Sequence, residues 1–186
     1  MDVVDAVREA HEARWGEPSR RAVFRAAAGT IEIYKWDAAS NSEEVDFYTT
    51  IGGSAFDMPL GNEGHRVEYY VGFNPGCDAV ASSLAALGLY GAQTGESIDH
   101  GHTIPSDGPL WPGTDMDTWL ILRPEEATLP VIYLADGIHV EFLQAVPIFE
   151  AERKFKIAHG LDSLMDLWER SLVPFWNPGR NPEPRI

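Results

Sequence analysis

The segment Gly137–Asp166, G-I-H-V-E-F-L-Q-A-V-P-I-F-E-A-E-R-K-F-K-I-A-H-G-L-D-S-L-M-D, limits the fold more than any other stretch. His139–Val146 alternates as a strand, and Pro147 is expected to end it. Phe149–His159 follows with helical residues, and Glu152 stands one turn before Lys156, the favourable order for a helical ion pair. Gly160 suits a C′ position and Asp162 an N-cap. Beyond them Leu161, Leu164, Met165 and Trp168 form the stripe of a second amphipathic helix. The segment thus reads as a strand, a tight proline turn and two helices, with very few spare residues. No catalytic pattern lies in this segment, which points to a surface presented to a partner.

The rest of the chain has mixed periodicity. Asp2–Trp15 reads as a helix with Val3, Val7, Ala10 and Arg14 on one stripe. Ala22–Ala26, Thr30–Trp36, Val45–Ile51, His65–Phe73, His100–Ile104, Trp119–Leu122 and Val131–Leu134 read as strands, the one over His65–Phe73 with an exposed face. Asp37–Glu44, Asp57–Gly64 and Pro105–Gly113 read as loops. Asp78 is the expected N-cap of a helix that places Val80, Leu84, Leu87 and Gly91 together and ends near Gly95. Asp136-Gly137 can form a type I′ hairpin turn. Strands and helices do not alternate regularly, which argues against a doubly wound parallel sheet. The expected class is α+β: a mixed, mostly antiparallel central sheet flanked by helices, packed on one face. Residues 1–176 are read as one domain and 177–186, with three prolines, as an extended or disordered tail.

Apolar residues make up 44% of the 186, enough to fill a core. One cysteine, Cys77, rules out an internal disulfide and suits a reducing cytoplasm. The N-terminal M-D-V-V-D-A-V-R-E-A is acidic where a signal peptide is basic, and no apolar run reaches the ~18 residues of a membrane helix. The net charge of −15 disfavours nucleic acid and anionic membranes as partners and favours basic ones. An acidic proteome background accounts for the same charge without any partner.

Candidate chemistry is sparse. Asp99-His-Gly-His102 places two imidazoles on one face of a strand, where they can chelate zinc or nickel, with His65 or Asp57 as a third ligand. The plain alternative is a bend with satisfied histidines. Cys77 precedes a helix N-terminus, where a thiol pKa falls, yet no partner histidine can be assigned. Glu68 and Glu141 can be paired carboxylates on adjacent strands, or ordinary outer-face residues. No phosphate loop, dinucleotide fingerprint or nucleophile elbow is present, so no cofactor is expected.

Five pieces carry a family resemblance. They are L-G-L-Y-G-A-Q-T-G (Leu87–Gly95), G-H-T-I (Gly101–Ile104), P-L-W-P-G-T (Pro109–Thr114), V-E-F-L-Q-A-V-P-I (Val140–Ile148) and A-E-R-K-F-K-I-A-H-G-L-D-S-L (Ala151–Leu164). Over roughly Val45 to Trp168 the chain resembles the suppressor-of-fused-like family, its small bacterial members in particular. The resemblance implies an α+β domain whose role is binding. Animal members bind and restrain zinc-finger transcription factors of the Hedgehog pathway, and many bacterial members look like immunity proteins beside polymorphic toxins. This chain is too short for the extra C-terminal domain of the animal proteins, so the Hedgehog role does not carry over. No catalytic residues are implied.

The expected function is therefore a non-enzymatic cytoplasmic binding protein, an immunity protein against a basic toxin domain. The alternatives are a small metal-dependent hydrolase using His65, His100 and His102, and a housekeeping module that dimerises through Trp111, Phe175 or Trp176. Candidate partner contacts are Asp107 and Trp111 in the long loop, Asp115 and Asp117 after it, and Glu43 and Glu44 in the earlier polar loop. Trp111 reads equally as a loop-anchoring core residue.

Overall fold

The alternating segments form strands and the periodic ones form helices in a computed structural model that describes residues 2–42, 44–57, 64–124 and 128–183. Helix α1 (Val3–Trp15) leads into the hairpin of β1 (Arg20–Ala26) and β2 (Gly29–Trp36). Strands β3 (Asp46–Ile51) and β4 (His65–Phe73) precede helix α2 (Val80–Thr94). Then come β5 (Thr103–Pro105), β6 (Thr118–Leu122), β7 (Ile132–Tyr133) and β8 (His139–Ile148). Helices α3 (Glu150–His159) and α4 (Leu161–Ser171) close the order. Among the described residues, no helix is long and apolar enough to cross a membrane.

The sheet runs β1-β2-β3-β4-β8-β6-β5, with β7 paired to β8. Its neighbours are antiparallel except β4 and β8, which run parallel. The class is α+β, as expected, but helices cover both faces rather than one. Helix α2 buries Val80, Leu84 and Leu87 against Ile31, Ile33, Val67 and Tyr69. It comes close because residue 88 is glycine: a Cβ there would lie 3.2 Å from Ile31 Cδ1 and from Thr50 Cγ2. On the other face α1 packs Val7 against Tyr34, Trp36 and Phe47, while Leu164 and Trp168 of α4 cover Leu120, Val146 and Ile148.

Two-sided cover explains several departures from the sequence reading. Strand β4 has no exposed face, because a central strand between helix layers is buried on both sides. Its polar residues are satisfied internally: Arg66 pairs with Asp57, and the fully buried Glu68 accepts bonds from Thr50 Oγ1, from the Gly52 and Ser54 amides and from Ser54 Oγ. Helix α1 turns Ala6, Val7 and His11 inward and leaves Arg14 exposed. Pro147 does not end β8, which continues to Ile148 with Pro147 opposite Trp119. The Pro147 carbonyl accepts from Arg180 Nη2 at 3.0 Å. A strand residue's N–H and C=O share a side, so the missing N–H faces away from β6 and no ladder bond is lost. Between β7 and β8 the chain makes a short 3-10 turn over Ala135–Gly137, not a two-residue type I′ turn.

Charged side chains also choose partners that local spacing does not indicate. Asp78 does not cap α2, whose N-cap is Ala79. It accepts from Lys35 Nζ at 2.7 Å and from Tyr48 Oη at 2.8 Å, and pairs with Arg20. Lys35 also meets Asp46 at 2.9 Å and Asp37 at 3.0 Å. Lys35 and Tyr48 together hold the Asp78 carboxyl below the usual range. Burial pushes Asp46 up, but Lys35 together with the Ala38 and Gly76 amides outweighs it and the net shift is downward. Glu152 ignores Lys156 and turns inward to Arg180. Arg180 thereby docks residues 177–183 of the expected tail, and hydrogen bonds from Asn177 N to Pro174 O and from Arg180 N to Asn177 O form turns there. Burial raises the Cys77 thiol and outweighs the lowering by the Val80 amide at the helix start.

Candidate partner-binding surface

Helix α4 ends abruptly. Leu172 caps it in the left-handed region, at φ 49° and ψ 48°, a conformation that glycine ordinarily supplies. The turn sends Val173–Trp176 back across the helix and leaves a groove of about 490 Å³. Trp168 and Phe175 form its floor, their rings stacked at 6.3 Å. Met165, Leu172 and Trp176 form its walls at 38%, 83% and 45% exposure. Asp166 and Glu169 stand on its rim. The expected stripe on α4 is thus split, with Leu164 and Trp168 buried and Met165 turned to the groove. A contiguous apolar patch edged with polar residues is the signature of an interaction site.

The residues expected to contact a partner sit elsewhere. The connection between β5 and β6 carries Asp107 and Asp115, both exposed, and Asp117, half-buried, whose Oδ1 accepts from Thr118 Oγ1 at 2.9 Å. Trp111 in the same connection is buried, with its ring edge-on to Phe73 at 5.5 Å. It anchors the loop, which corrects its reading as a surface contact. Glu44 is exposed on a different connection, between β2 and β3, and Glu43 lies outside the described residues. Of the aromatics considered for a symmetric contact, Trp111 is buried, Phe175 half-buried and Trp176 exposed. The α4 stripe includes Met165 and Trp168, but the opposite wall, Leu172, Phe175 and Trp176, lies beyond the last periodic residue, so the period alone does not mark a groove. The available signal was Phe175-Trp176, an aromatic pair set just beyond an amphipathic helix.

The three candidate metal ligands do not converge. Residues 100 and 101 form a turn rather than a strand, closed by His102 N donating to Asp99 O at 3.1 Å. Nδ1 of His100 accepts from Arg123 N at 2.9 Å, and Nδ1 of His102 from Asp99 N at 3.2 Å. Both rings serve the backbone, as the plain alternative held. His65 turns instead to His139 and Glu141. Glu68 and Glu141 are not a carboxylate pair, because Glu68 is in register with Phe142 and Glu141 with Val67, on opposite faces of the sheet.

Comparison with known proteins agrees with this architecture. Residues 28–181 match the family described as Suppressor of fused protein (SUFU). No curated protein matches the chain. A solved Sufu–Fu complex superposes with a TM-score of 0.69 at 15% identity, over 96% of this chain and 89% of that one. A SUFU homologue from Neisseria gonorrhoeae gives 0.68 at 15% identity, over 98% and 97%. Drosophila Suppressor of Fused gives 0.64 at 16% identity over 96% of this chain, which spans about half (49%) of that protein. At such identities the neighbours establish the fold, and the family match over residues 28–181 places this chain in the suppressor of fused family.

Proposed function

We propose that this chain is a non-enzymatic protein-binding domain. Within that class it is an immunity protein that captures and blocks a basic toxin domain in the cytoplasm. The observation that carries the reading is the exposed groove between α4 and Trp176, apolar on its floor and walls and acidic on its rim. Family membership supports it, since one structural neighbour is Sufu in complex with Fu. The net charge of −15 supports a basic partner, whose encounter it speeds. The mechanism is occlusion: apolar anchors of the toxin seat on Trp168 and Trp176, and its cations meet Asp166 and Glu169 on the rim. The hydrolase built on His65, His100 and His102 has no common site among the described residues.

The test is an activity assay of the toxin domain encoded beside this chain, with and without equimolar protein. Inhibition is expected, weakening as salt rises. Full toxin activity in excess protein sinks the toxin assignment. Leu172→Gly separates binding from folding. Glycine suits the left-handed cap, so stability is expected to stay level or rise by up to ~1 kcal/mol. Loss of the exposed leucine is expected to weaken toxin binding by roughly tenfold, the usual size for an interface anchor. Unchanged affinity in that variant would move the contact off the groove.

A further inference from the structure

We propose that His65, His139 and Glu141 form a binding site for a divalent transition-metal ion of the zinc class. The site follows from the parallel pairing of β4 and β8. His65 stands in register with His139, and Val67 with Glu141. In a parallel pair, registered residues point to one face, and the next same-face position on a strand lies two residues on. The topology therefore puts both imidazoles and the carboxylate on one patch at the start of the two strands.

The distances fit a single ion. Nδ1 of His65 and Nε2 of His139 are 3.0 Å apart, and one ligand atom from each of the three residues lies within 4.8 Å of the others. Two nitrogens that each hold zinc at about 2.0–2.1 Å in a tetrahedral site stand roughly 3.3 Å apart. The pair must open by a few tenths of an ångström, and the half-exposed Glu141 carboxylate must turn in from within 4.8 Å to a like separation. Without an ion, two imidazoles face each other across one shared proton, and a cation replaces that proton with two bonds. Two nitrogens and one oxygen suit zinc, cobalt or nickel and not calcium or magnesium, which take oxygen ligands.

The surroundings support the carboxylate as a ligand. Arg123 donates to Glu141 Oε2 from Nη2 at 2.8 Å and from Nε at 3.2 Å, which orients the carboxylate, and neither bond uses Oε1. Arg123 also binds Asp99 at 2.8 Å, so its cation is set against two anions. The Tyr133 ring stacks on His139 at 6.2 Å and is 79% exposed, shielding one side of the imidazole. Three protein ligands leave one position open to water or to a side chain of a bound protein. Protein capture through the α4 groove does not depend on this site.

The test uses the purified chain freed of metal by a chelator. Zinc is titrated by calorimetry and cobalt by its visible absorption. One equivalent of each is expected, with the intense bands of tetrahedral cobalt. His65 is buried, so the informative variants are His139→Asn and Glu141→Gln, with folding checked by circular dichroism. His139→Asn is expected to weaken binding by at least about 100-fold, beyond the loss for an outer-shell partner. His100→Ala and His102→Ala are expected to bind as the parent does. No stoichiometric binding by the parent, binding that survives His139→Asn, or equal loss in His100→Ala overturns the proposal.

Discussion

Replacing Arg180 with alanine is expected to destabilise the fold by about 3–5 kcal/mol, the range for stranding one member of a buried ion pair. Glu152 on α3 and Arg180 in the C-terminal segment have side chains 0% and 1% exposed. Their contact is bidentate, Nη1 to Oε1 at 2.6 Å and Nη2 to Oε2 at 2.8 Å. The guanidinium lies 5.0 Å from the Phe149 ring centre and 5.4 Å from that of Trp168. Without Arg180 the carboxylate keeps, among the described residues, only amide donors, from Phe149 N at 3.0 Å and Glu183 N at 3.2 Å. It cannot reach water, so its desolvation goes uncompensated. Arg180→Lys keeps the charge but not the fork, and an intermediate loss is expected. Truncation after Trp176 should match Arg180→Ala, which would make the tail part of the fold. Glu152→Leu combined with Arg180→Met should recover most of the loss, since apolar replacement of a whole buried pair is often neutral. Urea unfolding of the set reads each value. A loss under about 1 kcal/mol in Arg180→Ala would mean that water reaches Glu152.

The latch shows which parts of this fold are readable locally. Alternation in His139–Val146 and Thr30–Trp36 marks strands because one residue's direction is set by its neighbour's. The stripe of α2 marks a helix for the same reason. Partner choice is different. Glu152 has Lys156 one turn away, yet bonds a residue 28 positions later, because burial rewards the partner that can follow it inside. Asp78 looks like a cap and serves Lys35, 43 positions earlier. The pairing of β4 with β8 joins positions 74 apart, and nothing in either strand specifies a parallel neighbour. That is why sequence alone groups His65 with His100 and His102, nearer along the chain, rather than with His139. The groove beside Leu172 is legible only in part: Phe175-Trp176 hints at it, but its shape depends on a left-handed leucine, a conformation that propensity assigns to glycine.

The second large effect expected is an acid-sensitive helix α1. His11 is fully buried, stacked on Trp36 at 5.7 Å and edge-on to Phe142 at 5.2 Å. Its Nδ1 lies 2.7 Å from the Val7 carbonyl, which can only accept, so Nδ1 carries the proton. Nε2, 3.0 Å from Thr49 Oγ1, is then left to accept from that hydroxyl. Burial pushes the imidazole down to about 4, against a usual value of 6.5, although the Val7 bond works the other way. Between those two values the unfolded chain takes up a proton that the folded chain refuses. The His11 contribution to stability is therefore fully present above about pH 6.5 and is lost as pH drops toward 4, by roughly 2–3 kcal/mol at pH ~4.5. His11→Phe keeps the ring stacking and removes the titration, and it frees the Thr49 hydroxyl to donate to the Tyr69 carbonyl, 3.2 Å away. That variant is expected to lose far less stability between pH ~7 and ~4.5, even if it starts lower for want of the Thr49 contact. Comparing urea midpoints of the two proteins at both pH values cancels the carboxylates, which titrate alike in each. Parallel losses in the two proteins would assign the acid sensitivity to those carboxylates and leave His11 a packing residue alone.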